Sequence, residues 1–140
     1  IIECVGSKGR ADSLNQAIQK AAGEIIVLMH NDVAVPECWL KAFKRCIKLE
    51  PNIGVVGPMS NRAAGIQQLI HPDDSDRLEF ESVAEAFREQ NQYRRVATRK
   101  LAGFCLAFRR DLPDTIGYFD EQFVSEEMIV EDFCSRATSE

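Results

Sequence analysis

The chain has 140 residues, 45% hydrophobic and 28% charged, with a formal net charge of -5. At that length roughly 70% of the unfolded surface can be buried, so a single domain with a real core is expected, and the acidic balance argues against a nucleic-acid partner. No apolar run approaches the roughly 18 residues of a membrane span, and five widely spaced cysteines without a C-x-x-C pair speak for reduced thiols in a cytoplasmic setting, not a disulfide framework or a structural zinc site.

The first residue is not methionine, and Ile1-Ile2-Glu3-Cys4-Val5 reads as part of a strand. The expectation is therefore one partial domain over 1–140, an interior piece of a longer polypeptide. Gly6, Ser7, Lys8, Gly9 and Arg10 form a loop whose cations could meet one anionic ligand, although its spacing is not that of a P-loop. Leu14, Ala17, Ile18 and Ala21 then recur at helical spacing, which predicts a helix over 12–22 with Gly23 as a left-handed stop.

Residues 25–29 (IIVLM) predict a short buried strand, followed at once by His30, Asn31 and Asp32. In open α/β sheets ligands gather at the carboxyl ends of parallel strands, so this triplet is placed at a binding rim. A lone carboxylate there suits Mg²⁺ or Mn²⁺ carried by a substrate diphosphate. The competing reading is a polar turn that merely leads into the next segment.

Pro36 opens the next predicted helix, with Leu40, Phe43 and Ile47 on one face and Pro51 at its end. Residues 54–57 (GVVG) read as a strand and 58–68 as a polar loop in which Asn61, Gln67 and Gln68 serve as hydrogen-bonders. Residues 71–77 form an acidic turn. Ser82 and Glu85 match a capping box that opens a charged surface helix running to about Arg95. Residues 101–108 (LAGFCLAF) read as a central strand, with Gly103 admitting a close neighbour. A short helix over 112–116 is stopped by Gly117, and the acidic cluster Glu126, Glu127, Glu131 and Asp132 precedes a final amphipathic turn.

Residues 9–40 (GRADSLNQAIQKAAGEIIVLMHNDVAVPECWL) resemble the nucleotide-sugar-binding segment of family 2 glycosyltransferases, G-x-a-x-x-x-N-x-g-i-x-x-A-x-G-e-y-i-x-l-l-x-x-D. Residues 101–123 (LAGFCLAFRRDLPDTIGYFDEQF) are similar to the same family's acceptor-side segment, l-x-G-f-c-x-x-x-r-r-x-x-x-x-x-x-G-x-F-D-E-x-F. Residues 54–68 resemble bacterial members that work on cell-surface or protein-linked glycans. The resemblance implies a GT-A fold, a mixed, mostly parallel Rossmann-like sheet flanked by helices, here truncated at its N-terminal end. It also implies inverting transfer from a nucleotide-diphospho-sugar, with a divalent metal (Mg or Mn), to a glycan, lipid-linked or protein acceptor. Parts outside this chain would bring the domain to the inner face of the membrane, and sheet edges left bare by the missing strands imply self-association.

By this resemblance Asp32 is the metal-binding aspartate of the family's D-x-D motif, His30 takes the place of its first aspartate, and Asn31 lies between them. Gly9, Arg10 and Asn15 fall near the nucleotide; Gly103, Phe104, Asp120 and Glu121 fall on the acceptor side. The family's E-D-x-D-l-c-x-R motif supplies a catalytic base from its second residue. Counted without gaps, that position is Val130; a two-residue shift of the loop makes Asp132 or Glu131 the base. The alternative is a degenerate domain that binds a sugar nucleotide or a protein without catalysis.

Overall fold

A computed structural model describes residues 2, 9–63, 65–69, 77–92 and 94–139. Apart from Ile2, the expected first strand and the loop before Gly9 lie outside the described residues, as do positions 71–76 of the acidic turn expected over 71–77, whose last residue already opens a helix. Among the described residues the order is α1 (Arg10–Lys20), β1 (Ile25–Met29), α2 (Trp39–Leu49), β2 (Val55–Val56), a 3₁₀ turn (Gly65–Gln67), α3 (Arg77–Gln90), β3 (Cys105–Arg109), α4 (Leu112–Ile116) and α5 (Glu126–Ser139).

Helix α1 buries Ala11, Asn15 and Ile18, one stripe at spacings of four and three. It starts earlier than the apolar pattern indicates, because the Gly9 carbonyl already accepts from the Ser13 amide (3.0 Å) and the Ser13 hydroxyl (2.9 Å). Its end is not a left-handed glycine. Ala21 turns extended while its amide donates to Ala17 and Ile18, and positive φ among the described residues is confined to Cys38, Gly65 and Gly117.

The sheet departs most from expectation. Its order is β1-β3-β2, and both pairings are antiparallel. β1 and β2, linked through α2, run the same way but do not touch, because β3 returns between them in the opposite direction. A mostly parallel sheet is therefore corrected to a three-stranded antiparallel one among the described residues. β1 is an edge in this set: Ile26 is buried, whereas Met29 is 44% exposed.

β3 is the axis of the core, and its side chains alternate between two faces as the pleat requires. Cys105 and Ala107 pack with Phe43 and Ile47 of α2. Phe108 packs with Ile18, Ile129 and Phe133, while Leu106 meets Val130 and Cys134. Phe133 stands between Phe108 and Phe119 at centroid distances of 5.2 and 4.4 Å. The result is three layers, with α2 on one side of the sheet and α1 and α5 on the other.

Other boundaries move for local reasons. α2 begins at Trp39, not Pro36, after Cys38 at φ 62. α3 begins at Arg77, so Ser82 is not an N-cap; its hydroxyl donates to the Glu79 carbonyl (2.9 Å) from inside the helix. α4 ends as expected at Gly117, whose φ of 88 needs glycine. The acidic cluster does not precede the last element. All four carboxylates lie within α5 itself.

Candidate functional site

Antiparallel pairing puts the carboxyl end of β1 beside the amino end of β3. Met29 is paired with Cys105, and the His30 amide donates to the Phe104 carbonyl at 2.9 Å. The segments 9–40 and 101–123 therefore share one rim, with Gly103 next to His30. The carboxyl end of β3 lies at the opposite edge, where Arg109 pairs with Ile25.

The chain leaves this rim in a turn, the Val33 amide reaching the His30 carbonyl at 3.4 Å, so Asn31 and Asp32 occupy its corner. Both are exposed. Among the described residues the Asp32 carboxylate has no hydrogen-bond or ion-pair partner. The polar-turn reading of 30–32 thus describes its backbone, and the carboxylate remains available to a ligand.

His30 is joined by two residues from distant elements. Its Nε2 lies 2.5 Å from Glu126 Oε1 and 2.9 Å from Arg10 Nη2. Arg10 Nη2 also donates to Glu126 Oε1 and forms an ion pair with it. One imidazole nitrogen cannot both donate and accept. The arrangement in which Nε2–H donates to the carboxylate lets both donors converge on one acceptor. The three side chains are 46%, 32% and 28% exposed for Arg10, His30 and Glu126.

Glycine at 103 is what admits this cluster. A Cβ there would lie 3.1 Å from Val130 Cγ2 and 3.2 Å from Glu126 Oε1. Beneath lies a recess of about 40 Å³ bordered by Leu28, Leu106 and Val130. That holds a water but not a sugar, so a sugar would lie over the rim.

The family model described as Glycosyl transferase family 2 matches residues 1–117. The chain belongs to this family. No curated protein and no solved structure gives a significant match. Family 2 membership implies the GT-A fold and, in general terms, glycosyl transfer from a nucleotide-sugar to an acceptor. The match ends before α5 begins, so the carboxylates of that helix are judged on geometry.

Of the residues expected to serve this family 2 domain, the structure gathers Arg10, His30 and Gly103 at the rim, with Asn31 and Asp32 in the adjoining turn and Gly9 just ahead of α1. Asn15 is elsewhere. It is buried, donates through Nδ2 to the Phe119 carbonyl (2.9 Å), and accepts the Phe119 amide through Oδ1 (3.0 Å). Its amide joins α1 to the chain after α4. Phe104 packs its ring into the α2 cluster. Asp120 caps its own turn by accepting the Gln122 amide (2.9 Å), and Glu121 lies 3.4 Å from Asn15 Nδ2.

Neither residue expected as the base reaches the cluster. Glu131 is paired with Lys100 at 2.8 Å, and the two carboxylates Glu131 and Glu127 hold the Lys100 ammonium above its ordinary range. Asp132 accepts from Arg136 Nε (3.0 Å) and Nη2 (2.7 Å). That guanidinium also donates to the carbonyls of Ile116, Gly117 and Tyr118 at 2.5, 3.0 and 2.9 Å, which fastens α5 to the turn after α4.

Glu126 was missed by sequence reasoning except as one of four acidic residues. The available signal was its spacing of four from Val130, which puts both on one helix face. The thiols divide by burial. Cys105 and Cys134 are buried and pushed up to about 11, whereas Cys38 is exposed. Cys38 ends a turn before α2. Among the described residues no helix is long and apolar enough to cross a membrane.

Proposed function

We propose that this domain transfers a sugar, with inversion, from a nucleotide-diphospho-sugar to an acceptor hydroxyl, with a divalent cation at Asp32. The product would be a cell-surface or protein-linked glycan, made in the cytoplasm. The observation that carries this reading is the His30–Phe104 register, which brings the donor-side and acceptor-side segments of a family 2 chain to one rim.

The donor set fits a cation brought by the substrate more than a protein cage. Asp32 is exposed and unpartnered among the described residues, and no group of three His, Cys, Asp or Glu gathers there. Mg²⁺ and Mn²⁺ are commonly held by one or two carboxylates together with substrate phosphates. A cation so held would neutralise charge on the departing diphosphate. Arg10 adds a fixed positive charge at the same rim.

One observation favours a second reading, in which the domain binds a sugar nucleotide without catalysis: Val130, at the gapless position of the family's base, is apolar and 3% exposed. Titration of UDP in the presence and absence of Mn²⁺, followed by calorimetry, tests the proposal. Mn²⁺-dependent binding that Asp32→Ala removes, with an unchanged Tm, supports it. Metal-independent binding, or affinity unchanged in the variant, contradicts it.

A further inference from the structure

The helix that leaves Val130 at the base position carries a carboxylate one turn earlier. Glu126 and Val130 are four residues apart, so their side chains lie on the same face about 6 Å apart along the axis. Both border Gly103, and both line the recess at the rim. Val130 is sealed against Leu106 and Cys134. Glu126 stays open enough to meet a ligand, with 28% of its side chain exposed.

We propose that Glu126 is the catalytic base of the transfer, an inference that rests on the glycosyl-transfer reading above. Its Oε1 is fixed by Arg10 and His30. Its Oε2 has no partner among the described residues and is the atom left to take a proton. The other carboxylates of α5 near Val130 pair away from the rim, Glu131 with Lys100 and Asp132 with Arg136, and neither lines the recess.

In the step itself the acceptor O–H gives its proton to Glu126 Oε2, and the acceptor oxygen forms the new bond to the anomeric carbon. The bond from that carbon to the diphosphate oxygen breaks, and its electron pair leaves with the nucleoside diphosphate. His30 acts as a positioning residue, holding the carboxylate through Nε2–H. Arg10 holds the same Oε1 from the first residue of α1.

A plain ion-pair staple between α1 and α5 would use the same contacts, so the test must separate chemistry from structure. The full-length protein is assayed for hydrolysis of UDP-glucose, UDP-N-acetylglucosamine and GDP-mannose, with water standing in for the acceptor hydroxyl. Binding of UDP with Mn²⁺ and Tm are recorded for the same samples. Glu126→Gln is expected to lower turnover by about 10² to 10⁴-fold with UDP affinity and Tm little changed. Glu126→Asp, which keeps a carboxylate, is expected to retain more turnover than Glu126→Gln. Turnover preserved in Glu126→Gln overturns the assignment. So does a joint loss of turnover, UDP binding and Tm in both variants, which marks a staple. A wild-type protein that neither binds UDP with Mn²⁺ nor turns over any of the three sugars defeats the glycosyl-transfer reading, and the assignment falls with it.

Discussion

Helix α5 carries two half-exposed carboxylates that each meet an arginine, and their settings differ. Asp132 takes its partner from its own helix, and that arginine is saturated by three carbonyls of the 116–118 turn. Glu126 takes partners from α1 and from the end of β1, over a glycine, at an open rim. The first arrangement uses the whole guanidinium to close the fold. The second puts its charges beside the recess at the rim, where a ligand can reach them. Proximity of a carboxylate to a family motif is thus a weaker guide than what its partners are bonded to.

The largest effect expected from this contrast is kinetic. The 10² to 10⁴-fold loss for Glu126→Gln corresponds to roughly 3–5 kcal/mol of transition-state stabilisation. Its cost in folding should be at most ~1 kcal/mol, since ion pairs this exposed contribute little. Denaturant unfolding beside the turnover assay checks both figures.

Arg136→Ala should reverse the pattern. It strips three carbonyls and Asp132 of their donor and removes a cation 5.6 Å above the Phe133 ring. A loss of about 3 kcal/mol in unfolding free energy is expected, because each charged hydrogen bond contributes roughly 1.5–3 and part of the surface can rehydrate. Turnover per folded molecule should hold.

Asn15→Ala leaves the Phe119 amide and carbonyl without their side-chain partner in a buried place. That should cost about 2 kcal/mol. UDP affinity should change only in proportion to the unfolded fraction; a selective loss of affinity would return Asn15 to the donor site.

The smallest effect is alkaline. Burial raises Cys105 and Cys134 from 9.0 to about 11 in the folded chain. Between those values the unfolded chain releases protons that the folded chain keeps, so the stabilisation is whole below pH 9 and is lost as pH rises through about 11. By about pH 10 the loss should be on the order of 1–2 kcal/mol per thiol. Unfolding curves from pH 8 to 11 check the slope, and Cys134→Ala should make it shallower.

Much of the fold was legible locally. The apolar run at β1, the buried run at β3, and Gly117 as the stop after α4 each depend on near neighbours in sequence. Strand order was not, because a period-2 pattern says which face is buried and nothing about the direction of the strand alongside. Gly23 and the Ser82–Glu85 pair misled for a related reason: each is compatible with a cap, but α1 ends where the Ala21 amide bonds back to Ala17 and Ile18, and α3 already begins at Arg77. At the site, the triplet 30–32 and Gly103, which lie at one rim, were singled out in the sequence. Glu126 was not, because its importance comes from meeting Arg10 and His30 across 116 and 96 residues of chain.

The most direct test of the division within α5 is turnover per folded molecule in Asp132→Asn and Glu126→Gln, measured side by side on the full-length protein with one sugar nucleotide. The structure predicts that Asp132→Asn stays within a few-fold of wild type while Glu126→Gln falls by about a hundredfold or more. The opposite ranking would put the base at Asp132, where a shifted register of the family motif places it, and would leave Glu126 a staple.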